Sequence, residues 1–177
     1  NIPNSSNIGA QYYEQSEEFD PGNKYSVPYC WGTVGILYNK TMVDEPIDSW
    51  TVLWDEKYEN NILMQDSVRD AFMVALKVNG HSMNTLDETE LQEAKDLLIE
   101  QKPLVQAYVM DEIFDKMGAE SAFLAPYYAG DAKTLMDEYS STRKKIYSDS
   151  IMTKEEMDGK FEIFYDEFSE RYKAHHL

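Results

Sequence analysis

The chain is organised around the segment from Asn61 to Gly80, NILMQDSVRDAFMVALKVNG. A short apolar run, Ile62 to Met64, predicts a buried strand that a polar turn follows. After the turn, apolar residues recur at the spacing of an amphipathic helix, at Val68, Ala71, Phe72, Ala75 and Leu76. Gly80 stands where a left-handed residue is expected to end that helix. The segment therefore predicts a strand, a turn and a helix in succession.

Polar residues cluster between the predicted strand and the first helical turn, at Asp66, Ser67 and Asp70. In α/β proteins, the carboxyl end of a strand is where ligands are usually bound. The same residues also suit a purely structural role, with Asp66 or Ser67 as the N-cap and Asp70 complementing the positive end of the helix. Both interpretations stay open on these residues alone.

The pattern around this segment alternates between strands and helices. Strands are predicted at Val34 to Leu37, at Leu104 to Val109 and in SAFLAPYY. Helices are predicted over SWTVLWDEKY, from Thr85 or Asp87 to Glu100, around DEIFDKMG, and from Gly130 to Tyr139. We expect the tryptophans of SWTVLWDEKY to anchor that helix to the sheet. The alternation predicts an α/β domain with a mostly parallel or mixed sheet flanked by helices.

The two ends of the chain depart from this alternation. Residues 1–24 predict a loop with one short helical turn, and residues 140–150 (SSTRKKIYSDS) predict a second loop because they have no periodicity. The last segment predicts a helix that packs across the sheet. Thr153 and Glu156 form a capping box, and the apolar positions form one stripe, Met157, Phe161, Phe164, Tyr165, Phe168 and Tyr172.

Composition narrows the classes of function. The 33 acidic and 16 basic residues give a net charge of -17, which repels nucleic acid and anionic membranes and attracts cations. Cys30 is the only cysteine, so an internal disulfide is excluded, and we expect this residue to pack as a small apolar side chain. No apolar run approaches membrane-spanning length. Because the sequence begins at Asn1 without a Met, we expect a processed or excised piece without a signal peptide.

Catalytic motifs are absent from the sequence. His81 is a single loop histidine, His175 and His176 lie at the C-terminus, and neither a zinc-protease motif nor a nucleophile elbow is present. Calcium-loop spacing is missing, and chance pairs among 33 acidic residues have no weight. We therefore expect a protein that is not an enzyme and that uses no cofactor or metal.

Two segments of the chain point to a protein family. YSVPYCWGTVGILYN, followed by SWTVLWDEKYENNILMQDSVRDAFMVALKVNGHSMNT, resembles the bacterial extracytoplasmic spermidine/putrescine-binding proteins, which are the solute-binding components of ABC importers. The similarity is closest from about Phe19 to Asn84, stays collinear to about Asp131 and resumes over the last segment. The resemblance implies a type II periplasmic-binding-protein-like fold, in which two α/β lobes joined by a hinge hold a polyamine between them.

The resemblance covers one lobe only, the second, hinge-distal lobe. Residues 1–139 are similar to most of that lobe, and residues 148–177 are similar to its closing element. We therefore expect residues 1–177 to form a single lobe, with these two pieces rejoined across an excised segment near residues 140–147.

The resemblance also implies a set of ligand-binding residues. In the family, two acidic residues flank an Arg in the turn after the organising strand. The second corresponds to Asp70, and the first corresponds to Ser67, with Asp66 immediately before it. An aromatic wall of the site corresponds to Tyr127 or Tyr128. Carboxylates form charge-assisted hydrogen bonds with ammonium groups, and aromatic faces add cation–π attraction.

The implied partners are a polyamine, spermidine or putrescine, and the membrane permease of the importer. The implied location is extracytoplasmic, in the periplasm or anchored at the surface of a Gram-positive cell, and we expect a monomer that binds no nucleic acid. The alternatives are a lobe for another cationic solute, an acidic interaction module and a carboxylate-based enzyme. A cation is favoured over an anion because carboxylates occupy the helix N-terminus that an anion would use.

Overall fold

The structure, a computed structural model, describes residues 2–17, 19–30, 32–146 and 161–164. The chain divides into two compact units, Asn1–Gly32 and Thr33–Leu177. None of the helices in the described part of the chain combines the length and the apolarity that crossing a bilayer requires.

The first unit contains two short helical elements, a 3-10 helix at Pro3–Asn7 and helix α1 at Ala10–Ser16. The carboxylate of Asp20 orders the loop that follows, because it accepts hydrogen bonds from the backbone N–H groups of Lys24, Tyr25 and Ser26 and from the Ser26 hydroxyl. Cys30 is exposed, so the expectation that it packs as an apolar side chain is wrong. It follows the exposed Tyr29 in a stretch without regular secondary structure.

The second unit is built on a five-stranded sheet with the order β3-β2-β4-β1-β5. Strand β2 is parallel to β3 and β4, whereas β1 is antiparallel to β4 and β5. The strands are β1 Val34–Asn39, β2 Ile62–Gln65, β3 Val105–Val109, β4 Leu124–Tyr128 and β5 Phe161–Phe164. The predicted α/β class with a mixed sheet is confirmed.

Helices follow each of the parallel strands β2, β3 and β4, and a further helix pairs with the first of them. They are α2 Val68–Val78, α3 Glu88–Gln101, α4 Glu112–Gly118 and α5 Ala129–Ile146. Ser67 caps α2 and Asp87 caps α3, each through its side-chain oxygen. Gly80 follows α2 with a φ of 77°, the left-handed conformation that the sequence predicted there.

Apolar residues cover both faces of the sheet, because alternate residues of a strand point to opposite faces. One face joins Ile36, Ile62 and Leu124 to Leu53 and to α2. The other face joins Leu37, Leu63, Ala125 and Tyr127 to α4 and α5.

The segment SWTVLWDEKY forms a 3-10 helix at Trp50–Trp54 followed by a second one at Glu56–Tyr58. Trp50 is buried in the core of the α2 face, and the indole N–H of Trp54 donates to the carbonyl of Leu97 at 2.9 Å. Both tryptophans therefore anchor this segment, as predicted.

The predicted loop at residues 140–150 is wrong for residues 140–146, because α5 extends to Ile146. Arg and Lys are good helix formers, and the helix penalty of Ser and Thr is only a fraction of a kcal/mol per residue. A helix that is already nucleated at Ala129 can therefore continue through this stretch without an apolar stripe.

The predicted C-terminal helix is wrong at Phe161–Phe164, which form β5. These residues pair antiparallel with β1, from Ile36 opposite Phe164 to Asn39 opposite Phe161. Phe and Ile favour strands, and β1 offers the unpaired backbone groups of a sheet edge. The rest of the predicted helix, including the capping box of Thr153 and Glu156, lies outside the described residues.

Candidate functional site

The carboxyl ends of β2, β3 and β4 lie at one edge of the sheet, because the three strands are parallel. Helices α2, α4 and α5 begin at this edge, and each has an acidic residue in its first turn, Asp70, Glu112 and Asp131 respectively. The predicted site residues all lie at the ends of β2 and β4 or in the first turn of α2.

Ser67 is the N-cap of α2, and its hydroxyl oxygen accepts a hydrogen bond from the backbone N–H of Asp70 at 3.3 Å. Asp66 has a different position. Its backbone N–H donates to the carbonyl of Val109 at 3.1 Å, and its side chain is exposed. Of the two capping alternatives, the structure therefore selects Ser67, and the Asp66 carboxylate is available to solvent.

Asp70 and Tyr128 are 58 residues apart in the sequence, and the hydroxyl of Tyr128 donates to Oδ2 of Asp70 at 3.0 Å. Both residues are half-buried. Burial raises the pKa of Tyr128, and the hydrogen bond to Asp70 raises it further. The hydroxyl therefore stays protonated at neutral pH and acts as a donor, and the carboxylate keeps unused lone pairs for a ligand.

Tyr127 lies on the other face of β4 from Tyr128. It is 5% exposed and packs with Leu63 and Ala125 in the core. Burial raises its pKa to about 12, and the charges of Asp131, Asp111 and Asp115 add to the rise. The two tyrosine rings are 6.3 Å apart between centroids, so only Tyr128 is in contact with Asp70.

Gln65 is a residue of this edge that the sequence analysis did not include. It ends β2 directly before Asp66, and it is 1% exposed. Neither its amide nitrogen nor its amide oxygen has a hydrogen-bond partner among the residues that the structure describes. The available signal in the sequence was a polar amide at the end of an otherwise apolar strand.

The arrangement suits an organic cation. Asp66 and Asp70 supply carboxylate oxygens, and the ring of Tyr128 supplies an aromatic surface beside Asp70. The guanidinium of Arg69, the cation between these residues in the sequence, donates to Oδ1 of Asn84 at 3.2 Å. In the described part of the chain, no three His, Cys, Asp or Glu side chains are grouped as a metal site would need.

Comparison with known proteins gives a match over most of the chain. Residues 2–143 match the family model for bacterial extracellular solute-binding proteins. A spermidine/putrescine-binding periplasmic protein of Salmonella typhimurium is 40% identical over 97 residues, which are 54% of this chain and 28% of that protein.

Solved structures give the same result. The spermidine/putrescine ABC transporter substrate-binding protein PotD of Streptococcus pneumoniae has a TM-score of 0.64 at 37% identity, covering 77% of this chain and 42% of that one. A spermidine/putrescine ABC transporter protein of Listeria monocytogenes has a TM-score of 0.69 at 31% identity, covering 92% and 44%. These likenesses confirm the predicted periplasmic-binding-protein-like fold. The chain spans less than half the length of each of these three proteins.

Proposed function

Since this chain belongs to the bacterial extracellular solute-binding proteins, we propose that it is part of the extracytoplasmic solute-binding component of an ABC importer. The proposed solute is a polyamine, spermidine or putrescine, and the proposed protein partner is the membrane permease of that importer. The names of the relatives support this assignment, since proteins from Salmonella typhimurium and Streptococcus pneumoniae are both named for spermidine and putrescine.

The observation that supports this proposal best is the contact between the Asp70 carboxylate and the Tyr128 hydroxyl. A polyamine presents ammonium groups separated by methylene chains. Asp70 accepts from an ammonium, the exposed Asp66 adds a second negative charge, and the Tyr128 ring contacts the methylene groups next to the cation. Ser67 sets the position of Asp70 by capping the helix. Tyr127 contributes packing beneath the site.

We propose further that the chain is one lobe of a two-lobe protein, with residues 1–139 and 148–177 joined where a segment of the whole protein is missing. Two findings support a junction in this region. The family match stops at residue 143, and the matched proteins are more than twice as long as the aligned part.

Calorimetric titration of the full-length protein with spermidine and putrescine tests the assignment. We expect Asp70→Asn to weaken binding by about 10–100-fold, because a hydrogen bond to a charged group contributes about 1.5–3 kcal/mol. Asp96→Asn is the matched control, since it removes the same charge from an exposed position on α3 where Asp96 accepts from Gln92. We expect it to leave the affinity unchanged. Binding of a sugar or an anion, with no binding of polyamines, would overturn the proposal.

The 177-residue chain alone should bind polyamines weakly, with a dissociation constant of about 1 mM. One lobe leaves the ammonium groups half solvated, and exposed ion pairs contribute only about 0–1 kcal/mol each. A few such contacts and one aromatic surface sum to about 4 kcal/mol, which corresponds to millimolar binding. Micromolar binding that survives physiological salt would mean that the site is complete in this chain.

A further inference from the structure

The buried amide of Gln65 needs an explanation. Its two polar atoms have no hydrogen bond within the described part of the chain, and the residue is 1% exposed. Buried polar groups without a partner are rare in native proteins, because their desolvation is not compensated. The three residues before it in β2 are apolar, so an apolar residue at this position would avoid the cost.

The position of Gln65 suggests what its amide is for. The Tyr128 hydroxyl has one proton, which it donates to Asp70 at 3.0 Å. The Gln65 side chain lies beside the same hydroxyl, where it opposes the rise in the pKa of Tyr128 that burial causes. Because the amide makes no hydrogen bond to any described residue, turning it half a rotation about its terminal bond breaks none. Its carbonyl oxygen can therefore be presented to the Tyr128 proton.

A bound ammonium changes which acceptor suits that proton. The ammonium donates to the Asp70 carboxylate and neutralises part of its charge, and its own hydrogens repel the hydroxyl proton beside them. We propose that Gln65 is a positioning residue for the solute amine: the Tyr128 hydroxyl turns its proton from Asp70 to the Gln65 carbonyl, and its oxygen then accepts from the ammonium. A hydroxyl that competes for the carboxylate in the empty site thereby becomes a ligand of the cation. This inference rests on the proposed function.

The arrangement also selects among cations. A primary ammonium group has three N–H donors, which can reach the Asp70 carboxylate, the Tyr128 oxygen and one further acceptor. A quaternary ammonium has no N–H donor and gains only charge attraction and ring contact. The Gln65–Tyr128 pair therefore favours solutes that end in a primary amine.

Gln65→Met in the full-length protein tests the inference, because Met has a similar size and neither a donor nor a strong acceptor. We expect putrescine to bind about 3–10-fold more weakly, the loss of one hydrogen bond. The melting temperature without solute should stay the same or rise, because an unpaired buried amide is removed. Gln101→Met is the matched control. Gln101 is also buried, but its amide donates to the carbonyl of Leu53 at 2.9 Å, so this change should lower the melting temperature and leave the affinity unchanged.

The same substitution in a Tyr128→Phe background separates positioning from packing. Without the hydroxyl there is no proton to turn, so Gln65→Met should cause no further loss of affinity. An equal loss in both backgrounds, or no loss in either, would overturn the inference. Binding of putrescine with an unaffected Gln65→Met variant would overturn this inference alone. Failure of the unsubstituted protein to bind any polyamine would overturn the proposed function as well.

A measurement without substitutions covers the case in which the variant does not fold. The side-chain amide signals of Gln65 in a nitrogen-edited NMR spectrum should shift as putrescine saturates the protein. Those of Gln101 should not. An unchanged Gln65 amide signal at saturation would overturn the inference.

Discussion

Replacing Tyr128 by Phe removes one hydroxyl and with it the 3.0 Å hydrogen bond to Asp70. A hydrogen bond to a charged acceptor contributes about 1.5–3 kcal/mol to stability when it is shielded from water. Both side chains are half-buried, so water competes for the carboxylate and we expect less than the full amount. The predicted loss of unfolding free energy for Tyr128→Phe is about 1 kcal/mol.

Replacing Asp70 by Ala removes the same hydrogen bond from the other side. It also removes a negative charge from the first turn of α2, where such a charge contributes about 0.3–1 kcal/mol. The two single variants share one lost interaction, so the double variant should be more stable than the sum of the single losses predicts. We expect a coupling free energy of about 1 kcal/mol.

Urea unfolding of the 177-residue chain, followed by circular dichroism, measures this coupling. In a thermal scan, 1 kcal/mol corresponds to about 2–4 °C for a chain of this size. Tyr108→Phe, which changes a partly exposed tyrosine of β3, serves as the control pair with Asp70→Ala and should be additive. A coupling below about 0.3 kcal/mol between Tyr128 and Asp70 would refute the structural argument, because it would mean that the two groups do not interact in solution.

Two further predictions concern the fold. Burial raises the pKa of Tyr127 from 10.0 to about 12, so its stabilising contribution is complete below pH 10 and is lost as the pH rises through the folded-state value. Tyr127→Phe should therefore lose less stability than the unsubstituted chain in denaturant titrations across that interval, and parallel curves would contradict the assignment. A chain that ends at residue 149 lacks β5 and leaves β1 as an open edge, so it should aggregate or unfold without cooperativity. A soluble, cooperative product in sedimentation and thermal scans would contradict this prediction.

The elements with local signals could be predicted from the sequence. Helix α2 has its apolar spacing, its Ser67 cap and its left-handed Gly80 within one continuous segment. The strand before it is a short apolar run, and the acidic residues follow directly. All of these signals depend on neighbours within a few residues, which is the range over which helix spacing and capping act.

The elements that depend on distant partners could not be predicted in the same way. The sequence FEIF at residues 161–164 fits the stripe of a helix and also the alternation of a strand. The choice is made by pairing with β1, more than a hundred residues earlier in the chain. Long-range pairing of this kind overrides local preference, because strand preference depends strongly on context.

The choice between Tyr127 and Tyr128 was open for a related reason. Strand β4 is central in the sheet, and both of its faces are covered by apolar residues, so no alternation of polar and apolar residues indicates which tyrosine lies on which side. The register settles the side. Leu124 packs on the α2 face, so Tyr128, four residues later, lies on the same face.

The two halves of the candidate site come from different parts of the sequence, and this has a consequence for binding. Residues 66–70 follow β2, whereas Tyr128 ends β4, and only the parallel pairing of these strands brings its hydroxyl to Asp70. The site therefore exists only when the sheet is assembled, and a solute that binds it stabilises the assembled sheet. That stabilisation is small if the affinity is millimolar, because a ligand at its dissociation constant adds only about 0.4 kcal/mol. A large shift in melting temperature on adding putrescine would thus require acceptors beyond those at this edge, which under the proposed function belong to the other lobe.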